Sequence, residues 1–251
     1  YADIFEVKVT EKTTWLFIKL INYQNIVGWG EATLQGKSKE IFLIKDQIFE
    51  LILNKNFTSP KDLKLNLPFQ NIVQASISSS IMQCLWDIQG KVENKTISSM
   101  FGKENNLIQT YANFNRSTYD RSLNGIKLKA LEVLRDGYEF IKFAPFDEVE
   151  PSMKKSEMLH AMQMGLKRIN VIRDVFGPQI NIMIDCHWRF NYLSSIELIK
   201  ECESFNLYWL ECPIIEHSEN INSIKKIRDK ANNQGIRLAG LEKKILKEGY
   251  I

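Results

Sequence analysis

Near the amino end, apolar and polar positions alternate with a period of two. Val7-Lys8-Val9-Thr10 and Leu16-Phe17-Ile18-Lys19-Leu20 each predict a strand, and Val27-Gly28-Trp29-Gly30-Glu31 predicts a third after the polar turn at Asn22 to Asn25. Strands this close in the chain predict an antiparallel meander. From Lys39 the period lengthens, and Ile41, Ile44, Ile48, Leu51 and Ile52 recur at steps of three and four, which is a helix face. A polar stretch with Pro60 and Pro68 interrupts it. Ile72, Ala75, Ile77, Ile81, Leu85 and Ile88 then mark a second helix, with Gly90 as its stop.

Beyond residue 107 the rhythm changes. Short apolar runs at 109–113, 140–144, 180–184, 207–210 and 236–239 alternate with helical patterns at 123–134, 154–175, 194–202 and 221–231. Such alternation predicts a parallel sheet with helices outside it. The chain thus divides into an α+β unit, residues 1–107, and an α/β unit, residues 108–251.

Composition excludes more than it identifies. With 44% apolar and 11% aromatic residues the 251-residue chain is globular rather than disordered. Its net charge of +3 comes from basic residues spread among acids, so nothing calls for nucleic acid. No run approaches the ~18 apolar residues of a membrane span, and Tyr1 to Glu6 has neither the basic nor the apolar region of a signal peptide. Cys84, Cys186, Cys202 and Cys212 lack CxxC spacing, against both a disulfide framework and a structural zinc site. The expectation is a soluble, cytoplasmic protein.

Chemistry collects at strand ends. The strand at 180–184 runs into Asp185, that at 207–210 into Glu211, and that at 236–239 reaches Glu242 just past Gly240. In a closed parallel barrel those ends converge on one face. Three gathered carboxylates repel one another, and hard oxygen donors favour Mg²⁺ over zinc. Each acid alone could equally open the following helix, where it suits the dipole; three in succession favour the metal. Lys142 lies inside the apolar run Phe140-Ile141-Lys142-Phe143-Ala144, where an unpaired ammonium is costly. Pointing into the barrel mouth it would meet an anionic substrate; pointing outward it would snorkel to water. His187, two residues after Asp185, shares its side of an extended segment and is a candidate proton donor. Arg189, two further on, is a candidate carboxylate binder.

Taken in order, Gly28-Trp29-Gly30-Glu31, Leu85-Trp86-Asp87-Ile88-Gln89-Gly90-Lys91, Asp185-Cys186-His187-Trp188, Trp209-Leu210-Glu211-Cys212-Pro213 and Leu238-Ala239-Gly240-Leu241-Glu242 resemble landmarks of the enolase superfamily. Within it they are most similar to the mandelate racemase and muconate lactonizing enzyme branch. The resemblance implies an amino-terminal α+β capping domain and an enolase-type β/α, TIM-like barrel. It implies Mg²⁺ held by Asp185, Glu211 and Glu242, and a reaction that begins by removing the proton α to a carboxylate. The Asp-x-His arrangement resembles members that dehydrate sugar acids, with Lys142 and His187 catalytic. Trp15, in the loop between the first two strands, and Thr33 to Lys37 would belong to capping-domain loops that set specificity.

One departure bears on mechanism. Many relatives carry Lys-x-Lys on the second barrel strand, whereas here the second position is Ala144, followed by Pro145. That counts against racemisation by two opposed bases. The leading expectation is therefore dehydration of a hydroxylated acid, with a small-molecule carboxylate as partner and a homo-oligomeric assembly. Racemisation or epimerisation of a carboxylate, a non-catalytic binding or assembly protein on the same scaffold, and an unrelated doubly wound fold are the alternatives. A complete barrel alone takes roughly 250 residues. With residues 1–107 spent on a cap, the rest supplies about five strands, so the barrel is expected to be partial and the catalytic base to lie outside the chain read here.

Overall fold

The computed structural model describes residues 1–10, 13–56, 59–64, 66–102 and 107–240. They fall into two compact units, one formed by Tyr1–Leu107 and a second beginning at Ile108.

In the first unit β1 (Ala2–Thr10), β2 (Thr13–Ile21) and β3 (Val27–Glu31) make an antiparallel sheet in chain order. It is followed by α1 (Ser38–Phe49), α2 (Pro60–Lys64), α3 (Ile72–Glu93) and α4 (Ile97–Met100). The period-two pattern puts Ile4, Leu16, Ile18 and Leu20 on one buried face, packed with Ile41, Ile48, Ile77, Ile81 and Cys84. Gly28 and Gly30 let α3 close directly onto β3, because a Cβ at either would lie 2.1 Å from the carbonyl oxygen of Cys84 or Ser80. β3 is an edge strand, and its outward N–H groups at Trp29 and Glu31 donate to the Asp87 and Gln83 side chains of α3, each at 2.9 Å. The Gly-Trp-Gly-Glu and Trp-Asp-Ile-Gln segments are thus two halves of one strand-to-helix seam.

Two local expectations are corrected. Trp15 is not in a loop: it lies in β2, paired with Val7, because the β-branched and aromatic run Thr13-Thr14-Trp15 extends the ladder to Thr10 and Thr13. Gly90 does not stop α3, which continues to Glu93 and ends on Asn94 in the left-handed region at φ 51°. Asn tolerates that conformation, whereas Gly90 is buried within the helix with Lys95 and Ile97 against it.

In the second unit β4 (Ala112–Asn113), α5 (Leu123–Arg135), β5 (Phe140–Phe143), α6 (Lys155–Phe176), β6 (Asn181–Asp185), α7 (Tyr192–Glu201), β7 (Leu207–Glu211), α8 (Ile221–Asn232) and β8 (Arg237–Ala239) alternate. The described strands form a parallel sheet in the order β4-β5-β6-β7-β8. A doubly wound sheet would reverse its order at a switch point; this one runs monotonically, as a β/α barrel does. Ser122 and Asn191 cap α5 and α7 by accepting backbone N–H bonds. Ile126, Ile141, Phe143, Ile169, Ile182, Ile184, Leu198 and Leu210 fill the space between sheet and helices. The architecture is that of an α+β domain and an α/β domain whose five described strands match part of a TIM-like barrel. Among the described residues no helix is long and apolar enough to cross a membrane.

Candidate active site

The register of the sheet decides which side chains meet. Asp185 and Glu211 are Cα partners at the carboxyl ends of neighbouring β6 and β7. Lys142, on β5, is in register with Met183 of β6. Its long side chain crosses the end of β6, so that Nζ stands 2.5 Å from Glu211 Oε1 and 3.1 Å from Asp185 Oδ2. All three groups are buried.

Every carboxylate oxygen here has a partner. Asp185 Oδ1 accepts the His187 backbone N–H at 3.1 Å, and Oδ2 lies 3.2 Å from His187 Nε2. Glu211 Oε2 accepts the indole N–H of Trp209 at 3.1 Å. Burial alone would raise the Asp185 pKa, but the His187 hydrogen bond and the charges of His187 and Lys142 hold it below the usual carboxylate range. For Lys142, burial pulls the pKa down, yet the bond to Glu211 and the charge of Asp185 outweigh it and leave it above the ordinary lysine value. The ammonium is therefore a fixed positive charge.

Beyond the strand ends the backbone remains laced. Cys186, Trp188 and Phe190 donate to the carbonyls of Glu211, Cys212 and Pro213 at 2.9, 2.7 and 3.0 Å, and Cys212 donates to Ala239 at 3.0 Å. His187 (φ 48°), Trp188 (φ 57°) and Cys212 (φ 45°) are held in the left-handed region, which costs a non-glycine residue about 1–3 kcal/mol. Such strain persists only where surrounding bonds over-determine it, and here it sits beside the two carboxylates.

Arg189, the expected carboxylate binder, donates Nη1 to the carbonyls of Asp147 and Val149, both at 2.9 Å. Two arginines absent from the sequence-based site do related work. Arg121 bonds Asp147 at 2.6 Å and the Ala144 carbonyl at 2.5 Å, while Arg168 donates to the Pro145 carbonyl at 2.7 Å and grips Glu148 bidentately at 2.6 Å. Together they fasten residues 144–149, the loop that follows Lys142. Trp15 lies in the other unit, 44% exposed, with its ring edge-on to Phe17. Glu242 lies outside the described residues.

The donor chemistry fits the cation expected from sequence as far as it is described. The two buried carboxylates, paired with one ammonium, present oxygen donors of the hard type that Mg²⁺ takes. Among the described residues no three of His, Cys, Asp and Glu gather into a metal cage. Trp209 was not among the residues expected at the site, although its position two residues before Glu211 puts both on one side of β7.

Two family models match the chain. Residues 5–102 match the mandelate racemase / muconate lactonizing enzyme N-terminal domain, and residues 126–244 match the enolase C-terminal domain-like family. Among solved structures, the chain is similar to the 3,6-anhydro-D-galactonate cycloisomerase of Zobellia galactanivorans, at TM-score 0.80 and 24% identity over 99% of this chain and 66% of that one. It is similar also to a provisionally assigned dehydratase of Mesorhizobium loti, at TM-score 0.82 and 22% identity over 96% of this chain and 65% of that one. A third similar structure is a mandelate racemase/muconate lactonizing enzyme of Jannaschia sp. CCS1, at TM-score 0.79 and 19% identity over 96% and 66%. At these identities the likeness shows the fold, and the chain spans just under two thirds of the lengths of these three proteins.

Proposed function

We propose, from the premise that the chain belongs to the mandelate racemase and muconate lactonizing enzyme branch of the enolase superfamily, that it acts by removing the proton α to a carboxylate. On a hydroxylated, sugar-derived acid the same event would expel the neighbouring hydroxyl as water. The observation that carries this reading is the in-register pair Asp185 and Glu211 with the Lys142 ammonium between them. The names of two similar proteins, a cycloisomerase of a sugar acid and a provisional dehydratase, support the choice of substrate class.

Asp185 and Glu211 would hold Mg²⁺, with Glu242 as the third ligand that family resemblance implies. When bound, the ion supplies Lewis-acid stabilisation of the charge that α-proton removal pushes onto the substrate carboxylate. The rest falls to the chain's own groups. Lys142 offers a buried positive charge already oriented at the strand ends, so no solvent need reorganise as negative charge develops. Its place between the two carboxylates suits this electrostatic role. His187, whose side chain is 42% exposed, can pass a proton to a departing hydroxyl. The base is left to a group outside the described residues, because Ala144 stands where relatives carry a second lysine. The same substitution disfavours two-base racemisation.

The test is to incubate the intact protein in D₂O with Mg²⁺ and a panel of aldonic and aldaric acids. Keto-acid formation, lost in Glu211→Gln, is expected. Deuterium at the α-carbon without elimination would shift the reading to racemisation or epimerisation, and neither product with any acid would refute it.

A further inference from the structure

We infer that Trp209 is a positioning residue for Glu211, setting the direction of its carboxylate through a neutral hydrogen bond. This rests on the reading of Glu211 as a metal ligand. Trp209 and Glu211 are alternate residues of β7, so their side chains rise from the same face of the strand. The indole N–H reaches Glu211 Oε2 at 3.1 Å, while Lys142 takes Oε1 at 2.5 Å. The carboxylate is thereby held at both oxygens and cannot rotate without breaking one bond.

The two donors differ in kind. Lys142 brings a charge, which a divalent cation arriving at the same carboxylates would repel. The indole N–H brings direction without charge, so it can stay in place while a cation is bound. It is also rigid: the Trp209 ring meets Tyr111 edge-on at 6.1 Å and Tyr208 at 5.6 Å, and its backbone lies between Met183 of β6 and Arg237 of β8 in the ladder. A donor fixed on rings and sheet can hold a ligand oxygen against thermal swing. Outer-sphere hydrogen bonds of this sort typically carry 10–100-fold in metal affinity.

The test uses Mn²⁺ as probe, followed by electron paramagnetic resonance of the free ion. Replacing Trp209 by 3-benzothienylalanine keeps the ring shape and exchanges only the N–H for sulfur; Trp209→Phe serves as the simpler variant. Both should bind Mn²⁺ roughly 10–100-fold more weakly, and the isosteric one should unfold at the parent's temperature. In the metal-free protein, Glu211→Gln should shift the indole ¹H–¹⁵N signal of Trp209, identified by its absence in Trp209→Phe. Parental Mn²⁺ affinity in the isosteric variant would overturn the inference, as would an indole signal that Glu211→Gln leaves unmoved. A parent protein that binds no Mn²⁺ overturns the metal reading and this role with it. A shifting indole signal in that case marks the failure as the metal's and not the contact's.

Discussion

Lys142 leaves β5 and meets Glu211, two strands away at the end of β7, at 2.5 Å. The pair is buried and the residues stand 69 apart in the chain, so the contact exists only once β5, β6 and β7 are in register. Removing the ammonium leaves two buried carboxylates uncompensated. Lys142→Met should cost roughly 3–5 kcal/mol in urea unfolding. Saturating Mg²⁺ should recover part of the loss, and the double variant with Glu211→Gln should be less damaged than the two single losses added together.

His187 is assigned the proton that leaves with the hydroxyl, not the one taken from carbon. His187→Asn should therefore lower elimination by roughly 100- to 10,000-fold while deuterium exchange at the α-carbon survives. Equal loss of both, measured by mass spectrometry of recovered substrate, would remove His187 from this role.

Arg168 is 4% exposed and holds Glu148 bidentately, keeping that carboxyl below the usual range. A depressed carboxylate contributes stability that is fully present above its unfolded pKa, about 4.3, and is lost as pH falls through the lower folded value. Glu148→Gln should thus reduce stability near neutral pH and flatten the acid limb of the stability profile. Because Glu148 is 41% exposed, the difference should be about 1 kcal/mol or less. Thermal melts from pH 3 to 7 measure it.

Gly28→Ala and Gly30→Ala each place a Cβ 2.1 Å from a carbonyl oxygen of α3. Backbone cannot move aside cheaply, so each should destabilise the first unit by about 1–3 kcal/mol, read as a lower denaturant midpoint.

All four cysteines are buried, and burial pushes the Cys84 thiol up to about 12. A thiol-specific chromogenic reagent at pH 8 should find no rapidly reacting group in the folded protein and all four after denaturation.

Much of the fold was legible because it depends on local periodicity. Alternation of two marked β1 to β3, and the βα rhythm after residue 107 marked a parallel sheet, since each strand and helix must hide one apolar side. Element ends were less legible: Gly90 reads as a helix stop, but packing against Lys95 and Ile97 carries α3 to Asn94. Trp15 reads as loop, but its pairing with Val7 makes it strand.

For the site, the sequence by itself determined the residue types and their places at strand ends, because a strand's carboxyl end is a local property. Asp185 and Glu211 were visible on that ground, His187 by its spacing from Asp185, and Lys142 as a charge inside an apolar run. Only the tertiary structure decided how they pair. Register between parallel strands puts Asp185 beside Glu211, side-chain reach brings Lys142 between them, and a seat against Tyr111 and Tyr208 turns Trp209 onto Glu211. It also turned one arm of Arg189 to the Asp147 and Val149 carbonyls, a pairing across about forty residues that chain spacing cannot foretell.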